Sequence, residues 1–131
     1  MNNTAAALKV LYVEDDPDIQ TIARIALADI GKLDVRACES GAQALEAIED
    51  FQPDLILLDV MMPGMDGPTL LSHLRRTENG ATTKVIFMTA RVQQNEVQQY
   101  LSLGAIDVIA KPFDPLKLAD QILGIVRGEG T

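Results

Sequence analysis

The residues best suited to chemistry in this sequence are acids, a hydroxyl and a cation that stand at the ends of apolar runs. They are Glu14, Asp15, Asp16, Asp59, Thr89 and Lys111. A carboxylate can bind a hard cation through oxygen or attack an electrophilic phosphorus atom. A hydroxyl and an ammonium can stabilise the anionic oxygens of a phosphoryl group. Together these side chains indicate phosphoryl chemistry, provided that the fold brings them together.

Five apolar runs predict five β-strands that alternate with helices. The runs are Leu8–Val13, Leu33–Ala37, Asp54–Leu58, Lys84–Met88 and Ile106–Ala110. Three of these runs are apolar almost throughout, which is typical of strands buried on both faces of a parallel sheet. Strict alternation predicts an α/β fold, a doubly wound five-stranded parallel sheet with right-handed crossovers and helices on both faces.

Helices are predicted between these runs from helical spacing and from capping residues. Five residues are predicted to form the buried face of the first helix: Ile19, Ile22, Ala23, Ala26 and Ile30. Asp16-Pro17 and Asp114-Pro115 each predict a helix start, with the acid as cap and the proline at the first helical position. Asp16 is therefore predicted to cap a helix rather than to bind metal. The helix start predicted at Asp114-Pro115 places Leu116 on the buried face of the last helix.

The carboxylates are expected to converge, because ligand sites in open parallel sheets lie at the carboxyl ends of the strands. Two carboxylates about 4 Å apart repel by about 4 kcal/mol at an effective dielectric constant of about 20. Protonation, the Lys111 ammonium or a divalent cation could each offset that repulsion. An all-oxygen ligand set favours Mg²⁺, beside which Asp59 could attack phosphorus and hold an aspartyl phosphate.

Four motifs give the chain a specific resemblance to the receiver domain of two-component response regulators. They are Val-Leu-Tyr-Val-Glu14-Asp15-Asp16, Leu-Leu-Asp59-Val-Met-Met-Pro63-Gly-Met-Asp-Gly67, Met-Thr89-Ala90 and Lys111-Pro112-Phe113. Their order and spacing match the family over about residues 7–127. The resemblance implies a flavodoxin-like (βα)₅ fold with strand order 2-1-3-4-5.

The resemblance also implies a phosphoacceptor and its metal ligands. Asp59 would accept a phosphoryl group from a histidine kinase or a histidine-phosphotransfer protein. Asp15 and Asp59 would bind Mg²⁺ directly, Glu14 largely through water, and Met61 through its backbone carbonyl. Such a protein is a switch and not an enzyme, since it turns over no separate substrate.

The same resemblance implies how the switch would signal. Thr89 would be the switch hydroxyl, and Lys111, before a cis peptide to Pro112, would be the cation that senses the phosphoryl group. A downstream protein would bind the face made by the fourth helix, the fifth strand and the fifth helix. Where the family usually has Tyr or Phe on the fifth strand, this chain has Val108. Thr89 and the loop after it, alone or with Tyr100, would therefore carry the change.

The composition of the chain limits the binding partners and the cellular compartment that we expect. The 131 residues include 11 basic and 19 acidic side chains, a net charge of −8, which argues against nucleic-acid binding because phosphate contacts need clustered cations. No apolar run approaches the roughly 18 residues of a membrane span, and the single cysteine, Cys38, forms no internal disulfide. We expect a cytoplasmic protein without membrane contact, with residues 1–6 as a disordered lead, 7–127 as the receiver domain and 128–131 as a tail.

Three other functions fit parts of the pattern. A Mg²⁺-dependent phosphatase with an aspartyl nucleophile would need a general acid two residues after Asp59, where the chain has Met61. A flavin mononucleotide binder would need a small polar phosphate loop where the acidic triplet stands. A receiver that binds partners without phosphorylation has no need to retain Asp59, Thr89 and Lys111 together.

Overall fold

Five parallel strands alternate with helices along residues 7–128, the part of the chain that the computed structural model describes. The elements are β1 Lys9–Val13, α1 Pro17–Arg24 continued by a π-helix Ile25–Ile30, β2 Asp34–Cys38, α2 Gly41–Asp50, β3 Leu55–Asp59, α3 Gly67–Leu74, β4 Lys84–Thr89, α4 Gln94–Ser102, β5 Asp107–Ala110 and α5 Leu118–Val126. Each predicted strand is present, with its ends shifted by a single residue at most. The predicted lead, residues 1–6, and residues 129–131 of the predicted tail lie outside the described residues.

The strands form one sheet in the order β2-β1-β3-β4-β5, and every neighbouring pair is parallel. This confirms the doubly wound fold. Helices α2, α3 and α4 pack on one face of the sheet, whereas α1, its π-helical continuation and α5 pack on the other. All residues of β3 are buried as a result, and the carboxyl ends of β1, β3, β4 and β5 lie along the same edge.

The predicted start of α1 is confirmed. The Asp16 Oδ1 atom accepts hydrogen bonds from the backbone amides of Asp18 at 2.9 Å and Ile19 at 3.2 Å. These bonds satisfy amides that have no partner within the helix. Asp16 therefore caps the start of α1 immediately after Glu14 and Asp15.

The predicted start of the last helix is wrong. Asp114 caps a turn instead: its Oδ1 accepts from the Leu116 amide at 2.9 Å, its carbonyl accepts from the Lys117 amide at 3.0 Å, and α5 begins at Leu118. An acid before proline fits the start of a turn as well as that of a helix. Leu116 lies in this turn and is 73% exposed, so it is not part of the core.

The predicted buried face of α1 is wrong in part. Ile22 and Ile30 are each 46% exposed, whereas Leu27 is buried. The cause at Ile30 is the π-helix, in which the Gly31 amide bonds to the Ala26 carbonyl five residues back at 3.0 Å. A wider turn changes which residues face the sheet, and a 3.6-residue period does not anticipate it. Ile22 instead lines an open groove beside the site.

Gly67 begins α3 in close contact with the backbone that follows Asp59. A Cβ there would lie 2.6 Å from the Asp59 carbonyl oxygen and 3.0 Å from the Val60 Cα. We expect Gly67→Ala to lower the free energy of unfolding by about 2 kcal/mol or more, measured by urea denaturation, because backbone must move. In the control Gly124→Ala, the added Cβ meets nothing within 4 Å, and helix propensity should stabilise the chain by about 0.5–1 kcal/mol. Equal destabilisation by both changes would contradict this account.

Candidate functional site

Three carboxylates meet at the carboxyl edge of the sheet, at the ends of β1 and β3. Oxygen atoms of Glu14, Asp15 and Asp59 lie within 4.8 Å of one another. Glu14 is 1% exposed and Asp59 2% exposed, while Asp15 is half-buried. The predicted convergence of these acids is therefore present. Such a set of hard oxygen donors, open on the Asp15 side, fits Mg²⁺.

Lys111, the residue after β5, bridges the two buried carboxylates. Its Nζ atom lies 2.9 Å from Glu14 Oε1 and 3.1 Å from Asp59 Oδ1. Protonation, the Lys111 ammonium or a divalent cation could offset the repulsion between these carboxylates. The structure shows the Lys111 ammonium placed between them. The Lys111–Pro112 peptide is cis, as the resemblance implies.

Burial perturbs the protonation of Glu14 and Lys111. It raises the pKa of the Glu14 carboxyl to about 7; the hydrogen bond from Lys111 opposes that rise and the Asp59 charge adds to it. Burial alone would lower the pKa of Lys111, but its hydrogen bonds to Glu14 and Asp59 outweigh burial and raise it. Lys111 therefore remains a cation while Glu14 titrates near neutrality.

The metal-free protein should lose stability as pH rises towards neutrality. The pKa of Glu14 lies near 7 in the folded chain against an ordinary 4.5, so between these values the folded state holds more protons than the unfolded state. That stability is present below the ordinary pKa and is lost as pH rises through the folded-state pKa. We expect about 2 kcal/mol to be lost between about pH 5 and pH 8, measured by urea denaturation with a chelator present.

The matching control is Glu14→Gln, which removes the titrating group and should flatten the profile between these pH values. A wild-type profile that rises with pH, or an equal slope in both proteins, would contradict the assignment to Glu14.

Thr89 ends β4 beside Asp59. Asp59 is aligned with Met88 in the β3–β4 register, so Thr89 lies one residue beyond it on the same edge. The Thr89 hydroxyl is buried and accepts a hydrogen bond from the Arg91 amide at 3.0 Å. The Lys111 amide donates to the Thr89 carbonyl at 2.9 Å. Thr89 and Lys111 are thus joined through their backbones at the same edge of the sheet.

The structure also places residues that the sequence did not single out. The Gln20 side-chain amide donates to the carbonyls of Glu14 at 3.0 Å and Cys38 at 3.2 Å, and so joins the ends of β1 and β2. Nothing in the helical pattern distinguishes it from a solvent-facing glutamine. Tyr12, fully buried, precedes Glu14 by two residues on β1. Met61, by contrast, is the residue for which the resemblance implies a backbone-carbonyl ligand, and it lies in the loop after β3 with an exposed side chain.

Comparison with known proteins identifies the family. Residues 10–123 match the model of the response regulator receiver domain. A 14.6 kDa protein of Leptolyngbya boryana is 36% identical over 115 residues, which cover 88% of this chain and 87% of that protein. The transcriptional activator protein IrlR of Burkholderia pseudomallei is 38% identical over 120 residues, 92% of this chain and 51% of IrlR. The chain spans about half the length of IrlR and several other curated relatives that it matches.

Solved structures give the same result. The chemotaxis protein CheY4 of Vibrio cholerae superposes with a TM-score of 0.83 at 28% identity, covering 92% of this chain and 99% of CheY4. The receiver domain of the sensor histidine kinase PA1611 of Pseudomonas aeruginosa, with a magnesium ion coordinated in its active site cleft, has a TM-score of 0.79 at 33% identity, covering 94% of this chain and 99% of that domain.

The chain therefore belongs to the family of response regulator receiver domains. Receiver domains are signalling switches of two-component systems and not classical enzymes. Within residues 7–128, no helix has both the length and the apolar character that a membrane crossing requires.

Proposed function

We propose that this chain is a switch in which Asp59 accepts a phosphoryl group from a phosphohistidine in a Mg²⁺-dependent reaction. The observation that carries the proposal is the Lys111 ammonium within 3.1 Å of Asp59 and 2.9 Å of Glu14. In the transfer, an Asp59 carboxylate oxygen bonds to phosphorus while the phosphorus–nitrogen bond breaks, and the electron pair returns to the donor imidazole. Lys111 and Thr89 then bind oxygens of the transferred group.

Glu14, Asp15 and Asp59, with the Met61 carbonyl, are the proposed ligands of Mg²⁺. When bound, Mg²⁺ would neutralise charge on the carboxylates and on the phosphoryl oxygens. The magnesium ion in the PA1611 receiver domain supports this choice of metal.

The proposed signal starts from the charge that phosphorylation adds, nearly two negative units. Lys111 moves from Glu14 to the phosphoryl group, and the Thr89 hydroxyl turns towards it. Thr89 thereby gives up the bond from the Arg91 amide and releases the loop between β4 and α4.

The positions of the aromatic residues support a switch in which the loop between β4 and α4 carries the conformational change. Val108 offers no ring to rotate, and Tyr100 is already buried with its ring centroid 5.4 Å from that of Phe87. We propose that the loop alone conveys the change to α4. Five exposed amide side chains at or beside α4 would then contact a downstream protein on the α4–β5–α5 face: Gln93, Gln94, Asn95, Gln98 and Gln99.

The proposed phosphoryl donor is a histidine kinase or a histidine-phosphotransfer protein. An apolar groove of about 470 Å³ runs from α1 past Lys111 to the loop before α5, with Ile22 and Phe113 among its lining residues. Since the groove adjoins the phosphoacceptor edge, a protein that presents histidine to Asp59 would cover it.

Charge and cysteine content bear on the other proposed properties. The net charge of −8 makes nucleic acid an unfavourable partner. The free Cys38 thiol fits the reducing cytoplasm.

Ile22→Ala tests the donor surface. We expect transfer from a protein donor to slow by about fivefold, because apolar contact area is lost at the groove. Transfer from acetyl phosphate, which needs no docking, should be unchanged. Ile30→Ala is the matched control, since Ile30 is equally exposed at 46% but lies outside the groove. Equal slowing by the two changes would contradict docking at this groove.

The proposed function is tested by incubation with acetyl phosphate and Mg²⁺, followed by intact-mass measurement. The wild-type chain should gain the mass of a single phosphoryl group, and a chelator should prevent the gain. A chain that gains no mass would overturn the proposal and favour a receiver that binds partners without phosphorylation. Steady turnover of a phosphate ester that requires Asp59 would favour the phosphatase.

A further inference from the structure

Gln20 holds the backbone at the acidic edge of the sheet, and the proposed phosphoryl transfer gives it no role. It lies near the start of α1 with a half-buried side chain. Its Nε2 atom donates to the Glu14 carbonyl at 3.0 Å and to the Cys38 carbonyl at 3.2 Å. A side-chain amide nitrogen carries two hydrogens, so Gln20 uses both of its donors on the backbone at the ends of β1 and β2.

These two bonds continue the pairing of β1 with β2 beyond the strands themselves. Val13 and Cys38 are the last aligned pair, and the Glu14 amide donates to the Cys38 carbonyl at 3.0 Å. The chain then leaves the sheet towards α1, and Gln20 supplies the next hydrogen bond from a side chain. Because a peptide bond is planar, a fixed Glu14 carbonyl also fixes the orientation in which the chain enters Asp15.

Of the three carboxylates at the site, that of Asp15 depends most on this backbone. Lys111 Nζ donates to the Glu14 and Asp59 carboxylates at 2.9 and 3.1 Å. The Asp16 amide also donates to Glu14, at 3.2 Å. In the part of the chain that the structure describes, no hydrogen bond holds the Asp15 carboxylate itself. The backbone therefore sets its place within 4.8 Å of the other two acids.

We propose that Gln20 is a positioning residue for the Mg²⁺ site, which holds the peptide bond between Glu14 and Asp15 so that the Asp15 carboxylate stays beside the other acids. The inference rests on the proposed function, because Mg²⁺ binding is part of it. Mg²⁺ demands nearly ideal octahedral geometry. Loss of a residue that orients a metal ligand typically weakens metal binding by about 10–100-fold.

The test is Gln20→Met, which removes both donors and keeps a side chain of similar length. The Mg²⁺ dissociation constant of the unphosphorylated chain, measured from backbone amide NMR signals during titration, should rise by about tenfold. In transfer from acetyl phosphate, the Mg²⁺ concentration that gives half the maximal rate should rise by the same factor. Gln20→Asn, whose amide is shorter by a methylene group, should weaken Mg²⁺ binding in the same direction even if Gln20→Met fails to fold.

Gln43→Met is the matched control. Gln43 Oε1 accepts a hydrogen bond from the Glu39 amide at 2.8 Å, so this glutamine also holds the backbone just after β2, through a bond that does not involve Glu14. Both substitutions should lower the denaturation midpoint of the metal-free protein, because each removes hydrogen bonding to the backbone. Gln43→Met should keep the Mg²⁺ dissociation constant within about twofold of the wild-type value.

A double-mutant cycle with Asp15→Asn separates positioning of Asp15 from a general loss of structure. If Gln20 acts through the Asp15 carboxylate, Gln20→Met should change Mg²⁺ affinity by less than about twofold once Asp15 is replaced. A general structural effect would lower the affinity by the same factor in both backgrounds.

Three results would overturn the role of Gln20 and leave the proposed function standing: an unchanged Mg²⁺ dissociation constant in Gln20→Met, an equal rise in Gln43→Met, or an equal effect of Gln20→Met with and without Asp15. A wild-type chain that binds no Mg²⁺ would overturn this inference together with the Mg²⁺ dependence of the proposed function.

Discussion

Asp59→Asn should take up no phosphoryl group from acetyl phosphate or from a protein donor, a loss of at least about a thousandfold in rate. An amide is a poor nucleophile and forms no acyl phosphate. The variant should still fold, because Lys111 keeps its bond to Glu14 at 2.9 Å and the repulsion between two buried carboxylates is removed. Intact-mass measurement after incubation with Mg²⁺ reports the result.

Asp66→Asn is the matched control for this substitution. Asp66 caps α3 by accepting a hydrogen bond from the Thr69 amide at 2.9 Å, and asparagine caps a helix equally well. The control should gain phosphoryl mass as the wild type does. Equal mass gain in Asp59→Asn would show that another residue is the acceptor.

Lys111→Met should lower the free energy of unfolding of the metal-free protein by about 3 kcal/mol at about pH 8, because it leaves buried carboxylates without their cation. The two bonds that are lost join Nζ to Glu14 and Asp59 at 2.9 and 3.1 Å. The loss should be smaller at about pH 5, since Glu14 is then protonated in the folded state. Mg²⁺ should restore part of it by supplying another cation. Urea denaturation at both pH values, with Mg²⁺ or a chelator, measures these effects.

Lys117→Met removes the same charge from an exposed residue and serves as the control. Its effect should remain within about 0.5 kcal/mol at either pH. A Lys111→Met protein as stable as this control, with or without Mg²⁺, would show that the bridge contributes nothing to folding.

The convergence of Asp59, Thr89 and Lys111 could be predicted from the sequence for a simple reason. Each follows an apolar run that is recognisable as a strand, and the carboxyl ends of parallel strands meet at one edge. The strand order and the individual roles needed the family resemblance, because apolar runs do not state which strands are neighbours. The Lys111 bridge to Glu14 depends on side-chain direction, and the strand pattern does not define it.

Other features of the structure could not be predicted from the periodicity of apolar residues. The π-helix at Ile25–Ile30 packs against α5, and its wider turn changed the buried face predicted for Ile30. Asp114-Pro115 has the residues of a helix start but forms a turn, because both motifs use an acid before proline.

The most direct test of the central claim is to trap the phosphorylated chain with borohydride and map the product by peptide mass spectrometry. Borohydride reduces an aspartyl phosphate to homoserine, which marks the acceptor permanently. The account predicts homoserine at Asp59 and at no other acid. Homoserine at Asp15, or a phosphoryl group carried by His73, would contradict it.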